Sequence, residues 1–125
     1  MIAVLAVHAV VALACAALGR RLGRHVLLVG ALAPASSLVW LATGPSPTEK
    51  ISWLPAVGLD LELRLDGVGT LMVALVGGIG VLVFLYAWHY FGERPRLVLF
   101  TSYLVGFAGA MFGVVVADNL LVLYL

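Results

Sequence analysis

Charged side chains are scarce in this chain of 125 residues. Seven Lys and Arg and six Asp and Glu make up 10% of it, against about 25% in a soluble globular domain. A net charge of +1 leaves no clustered basic face of the kind that tracks a nucleic-acid backbone, so no nucleic-acid partner is expected. Cysteine occurs once, as Cys15, which excludes an intrachain disulfide and any multi-cysteine metal site. Its neighbours, VVALACAAL, make it a small apolar residue inside a helix. No metal-ligand spacing, nucleophile–base pair or phosphate loop is present. The chain is therefore not expected to be an enzyme, and no catalytic, cofactor-binding or metal-binding residue is assigned.

What fills the chain is hydrocarbon: 64% hydrophobic residues and a mean hydropathy of +1.18. Four stretches carry no formal charge: Met1–Gly19, Val26–Thr43, Gly67–Phe91 and Leu97–Ala117. A helix rising 1.5 Å per residue needs roughly 20 residues to cross a ~30 Å hydrocarbon core, and each stretch is near that length or above it. Apolar residues surround each helix, as expected where lipid and other helices are the neighbours. The expected fold is all-α integral membrane, with four transmembrane helices at about 1–19, 26–43, 67–91 and 97–117. The first is not a secretory signal, because MIAVLAVHAV has no basic start and its apolar run is too long. The same absence argues against ALAC as a lipoprotein cleavage site.

The loops set an orientation. Cytoplasmic loops collect Lys and Arg. The first link holds Arg20, Arg21 and Arg24 with no acid, and GERPR holds Arg94 and Arg96 against Glu93. The long middle loop holds Lys50 and Arg64 against Glu49, Asp60, Glu62 and Asp66. The first two links therefore belong inside, and the middle loop and the N-terminus outside. Asp118 and Asn119 then fall on the outer surface, and LLVLYL after them points back into the membrane. Ending there would leave backbone groups unpaired in hydrocarbon, at several kcal/mol each. The expectation is that 119–125 starts a fifth helix and that 1–125 is the N-terminal transmembrane region of a longer polytopic subunit.

Within the middle loop, ATGPSPTEK is turn chemistry. Leu59, Leu61, Leu63 and Leu65 alternate strictly with Asp60, Glu62, Arg64 and Asp66, a period of two that reads as a half-buried strand. ISWL is the expected partner and PAVG the turn, giving a short β-hairpin over about 51–66 with its leucine face on the helix ends. Asp66, just before an apolar run, is expected to cap the third helix. Small residues recur four apart at Thr70, Ala74 and Gly78 beside GGIG, and at Ser102, Gly106 and Ala110, with Gly109, Gly113 and Ala117 beside them. Such spacing lets membrane helices approach closely. His8 is the one ionisable group expected at membrane depth, and with no carboxylate or Lys in the spans to relay a proton it reads as structural. His25 and His89 fall at helix ends, the latter beside the aromatic belt of Trp88, Tyr90 and Phe91.

Two longer stretches carry a resemblance. WLPAVGLDLELRLDGVGTLMVALVGGIGVLVFLYAWHYF resembles the N-terminal region of the A subunit of Mrp-type multisubunit Na⁺/H⁺ antiporters. SYLVGFAGAMFGVVVADNLLVLYL resembles the stretch that leads into that family's fifth helix. The most specific pieces are RLDGVG, LYAWHYF and ADNLLVLY. The antiporter-like subunits of respiratory complex I share the plan, and some of them carry His where this chain has Phe84. The resemblance implies a multi-pass subunit of a hetero-oligomeric complex in a bacterial plasma membrane, moving Na⁺ and H⁺. It also implies a Trp-Glu pair soon after ADNLLVLY, whose glutamate works with lysines on later helices. The expected role of 1–125 is scaffold rather than ion path. Alternatives are a proton-translocating membrane subunit of a respiratory NADH-quinone oxidoreductase and a small structural or assembly membrane protein.

Overall fold

The computed structural model describes residues 1–46, 48–54, 59–91 and 96–118, without the side chains of 51–54, 59 and 61. In chain order these form α1 (Ile2–Leu22), a 3-10 turn (Gly23–His25), α2 (Val26–Ala42), strands β1 (Thr48–Leu54) and β2 (Leu59–Arg64), α3 (Gly67–Tyr90) and α4 (Leu97–Val116).

The expectation of four crossings and the start of a fifth is corrected. Among the described residues, three helical segments are long and apolar enough to cross a membrane: Ile2–Ala42 with 41 residues, Gly67–Tyr90 with 24 and Leu97–Val116 with 20. The arginines that divide the first two uncharged stretches do not break the helical path. Arginine is a good helix former, so α1 continues through Leu22, and the 3-10 turn passes directly into α2. On its own α2 has 17 residues, a rise of about 25 Å, short of the roughly 20 residues a crossing takes. The junction is nevertheless sharply bent. Gly23 has φ 54°, which glycine adopts without the Cβ penalty. Cys15 Sγ thereby comes within 3.9 Å of the Val26 carbonyl oxygen, 11 positions away, where straight helix would separate them by about 16 Å. The expected fifth-helix start, 119–125, lies outside the described residues, as does the PAVG turn.

Each helix buries one stripe. On α1 it is Val4, His8, Cys15 and Gly19, on α3 Gly69, Val73, Gly77, Phe84 and Ala87, and on α4 Thr101, Val105, Ala108, Phe112 and Val116 among others. The remaining faces stay apolar and exposed, Leu13 and Tyr103 among them. Helix contact depends on small residues at two crossings above all. A Cβ on Gly30 would fall 2.6 Å from Thr101 Cγ2 and 2.8 Å from Phe84 Cε1, and one on Gly109 would fall 2.8 Å from His8 Cβ. α2 thus sits on α3 and α4, and α1 on α4. The small-residue stripes divide: Gly77 and Gly80 meet Leu38 and Pro34, whereas Gly78 and Gly106 face open space. Pro34, inside α2, is among the fully buried side chains.

The hairpin forms with β1 beginning three residues earlier than expected, at Thr48. It pairs antiparallel with β2, Thr48 opposite Arg64 and Lys50 opposite Glu62. β2 stops at Arg64 because Asp66 turns to cap α3: its side chain accepts a hydrogen bond from Gly69 N at 2.6 Å. Leu63 is buried with Met1, Val4, Val73, Phe112 and Val116, so the leucine face rests on the helix ends where the described side chains show it.

Candidate functional site

All described acidic side chains gather at one end of the bundle. Lys50 Nζ lies 2.6 Å from Glu62 Oε1 and 3.0 Å from Asp60 Oδ2. These hydrogen bonds, Glu62 first and then Asp60, with the charges of both, raise the Lys50 pKa above its ordinary value. Arg64 Nη1 stands 3.8 Å from Asp118 Oδ1, and Asp118 N donates to the Glu62 carbonyl at 3.1 Å. An isolated bridge pairs Leu63 with Ala117, so the end of α4 extends the edge of the hairpin. The Met1 ammonium is 2.5 Å from Glu49 Oε2. A cavity of about 270 Å³ opens beside that pair, lined by Met1, Trp40, Thr43, Ser46 and Glu49 among others.

Two turns below this end is His8, 2% exposed. Its Nδ1 donates to the Val4 carbonyl at 2.9 Å, which as a pure acceptor fixes the proton on Nδ1. The ring stacks on Phe112 with centroids 6.2 Å apart and planes 18° from parallel. Phe112 in turn meets Trp40 edge-on at 5.7 Å. With Gly109 against its Cβ, His8 is held as a packing group: the stack and the backbone bond fix its orientation. Thr101, also buried, donates to Leu97 O at 2.8 Å within its own helix, as hydroxyls in apolar helices commonly do. Cys15 is buried and free.

The opposite end is basic. Arg20, Arg21, Arg24, His25, His89 and Arg96 are exposed there. Arg24 Cζ lies 5.3 Å from the centroid of the Trp88 ring, within cation–π range. The Trp88 indole Nε1 is buried without a hydrogen-bond partner among the described residues. Tyr86 stacks on Tyr90 at 5.5 Å, and Tyr90, Phe91 and Phe100 follow edge to face. These rings lie at the same end as the arginines. The Arg24–Trp88 pair is invisible in the sequence, because 64 positions separate residues that the packing of α2 on α3 brings together.

Residues 53–101 match a protein family described as NADH-ubiquinone oxidoreductase (complex I), chain 5 N-terminus. Over 83 residues, 66% of the chain, it is 42% identical to the Na(+)/H(+) antiporter subunit A1 of Staphylococcus aureus strain JH9, and equally to that of strain Newman. It spans 10% of the length of these relatives. Its fold is similar to a chain in the solved Mrp complex from Dietzia sp. DQ12-45-1b, with a TM-score of 0.84 and 28% identity, over 97% of this chain and 14% of that one. These likenesses and the three apolar segments describe a multi-pass bacterial membrane protein. Both the fold and the shared residues liken the chain to part of an Mrp-type antiporter A subunit.

Proposed function

We propose that the chain serves as the N-terminal part of a sodium/proton antiporter subunit and supplies scaffold helices, not the ion path. The fold likeness to the Mrp complex over nearly the whole chain carries this reading. A proton route through hydrocarbon needs titratable groups at depth. Between the helix ends the described spans offer His8, whose Nδ1 is engaged by Val4 and whose ring is stacked on Phe112. The coverage of relatives supports residues 1–125 as one region of a longer polytopic subunit. Its partners would be the other subunits of a hetero-oligomeric complex and the bilayer, with Na⁺ and H⁺ as cargo of a transporter rather than substrates of an enzyme. The arginine end would face the cytoplasm, and the hairpin and N-terminus the outside of the plasma membrane, because basic loops stay inside.

The test is antiport in inverted vesicles from a strain without its own sodium/proton antiporters. The full-length protein with its complex is expected to dissipate a pH gradient on addition of Na⁺. His8→Phe should retain most of that activity, and vesicles carrying residues 1–125 alone should show none. Loss of antiport in His8→Phe with assembly intact would place His8 in the ion path and overturn the scaffold reading. A second reading, the membrane subunit of a redox-driven proton pump, is favoured by the complex I description of the matching family. Proton pumping driven by NADH and indifferent to Na⁺ would establish it instead.

A further inference from the structure

We infer that the arginine end of the bundle seats the headgroup of an acidic phospholipid, between the Arg20–Arg24 turn and Trp88. Three observations converge there. Arg20, Arg21 and Arg24 stand exposed within five positions of one another, with Arg96 at the same end. None of the four makes an ion pair among the described residues, whereas Lys50 and Arg64 at the far end both do. Arg24 also lies over the Trp88 ring, 5.3 Å from its centroid, which holds one guanidinium beside the aromatic side chains at this end. Beside them the exposed rings of Tyr86, Tyr90 and Phe100 form a surface suited to the boundary between headgroups and acyl chains.

A phosphodiester answers all three. It brings negative charge to the arginines and several acceptor oxygens for their guanidinium N–H groups. Its acyl chains keep it beside apolar helix faces that free phosphate would not favour. Basic clusters at the membrane surface select acidic lipids in this way, each charge contributing about a fivefold change in affinity. The inference does not depend on which ion the parent subunit moves.

The experiment uses the full-length protein in phosphatidylcholine nanodiscs containing spin-labelled phosphatidylglycerol or spin-labelled phosphatidylcholine. The readout is the ratio of the two lipids in the motionally restricted population. Phosphatidylglycerol should be preferred, and that preference should fall about fivefold for each arginine removed in Arg20→Gln, Arg21→Gln and Arg24→Gln. Arg24→Lys should restore most of it, and Arg64→Gln should leave it unchanged. Displacement of the labelled lipid by inorganic phosphate alone would overturn the inference. So would a preference untouched by the arginine variants, or loss of an acidic partner protein from the variants while the lipid ratio stays constant.

Discussion

The two ends of the bundle use charge in opposite ways. At the hairpin end, charges are matched within the chain: Met1 with Glu49, Lys50 with Asp60 and Glu62, Arg64 with Asp118. The Met1 and Arg64 pairs join segments distant in sequence, the Lys50 pairs join the two hairpin strands, and beneath them Leu63 and Phe112 close an apolar cluster. At the other end Arg20, Arg21, Arg24 and Arg96 are exposed, and among the described residues their side chains make no ion pair, Arg24 lying over Trp88 instead. The Lys50 and Arg64 pairs are exposed and contribute little each, so the apolar cluster, with the half-buried Met1–Glu49 pair beside it, anchors the hairpin. The pairs set register and position. The basic end is instead arranged for whatever lies beyond it.

The contrast can be broken at its strongest point first. Phe112 touches both His8 and Trp40 and is 2% exposed. Phe112→Ala should cost about 3–5 kcal/mol and free the hairpin from the helix ends. Thermal melting in detergent would show the loss, and amide exchange should rise in β2 before it rises around Cys15. Uniform exchange across both ends would mean that the two clusters are one unit.

A smaller effect is expected at Asp66. Its carboxylate accepts from Gly69 N at the start of α3, so Asp66→Ala should cost about 1 kcal/mol. Asp66→Asn should recover most of that, read from the same melts. An equal loss with Asn would show that charge rather than the cap matters there.

The smallest change concerns Lys50. Its pKa is raised by Glu62 and Asp60, so the stabilisation from these contacts is complete below the ordinary lysine value of 10.5. It is lost as pH rises through the higher folded value. Wild-type protein and Lys50→Met should therefore converge in melting temperature only at strongly alkaline pH. Convergence already near neutral pH would remove these pairs from any account of the hairpin.

Much of this architecture is legible in the sequence, and the failures are specific. The alternation from Leu59 to Asp66 yields β2, since one face must be apolar and the other wet whatever the strand packs on. Asp66 before an apolar run yields its cap by local geometry alone. The arginines after Gly19 mislead, because charge shows where a chain leaves hydrocarbon but not whether its helix breaks, bends or continues. That depends on Gly23, whose positive φ leaves no periodic trace. The small-residue stripes show the same limit: spacing shows that close approach is possible, and the packing partner decides which of Gly77 and Gly78 is used.

Composition and patterning by themselves determined a helical, membrane-embedded chain with a polar hairpin at one end and arginines at the other. Those properties follow from transfer energies and backbone periods, which act residue by residue. Only the tertiary structure decided that the first helical segment folds back at Gly23, that His8 is locked on Phe112 and Gly109, and that Trp88 comes under Arg24. Each of these is set by which side chains meet across helices, a property of three-dimensional packing that no local stretch contains.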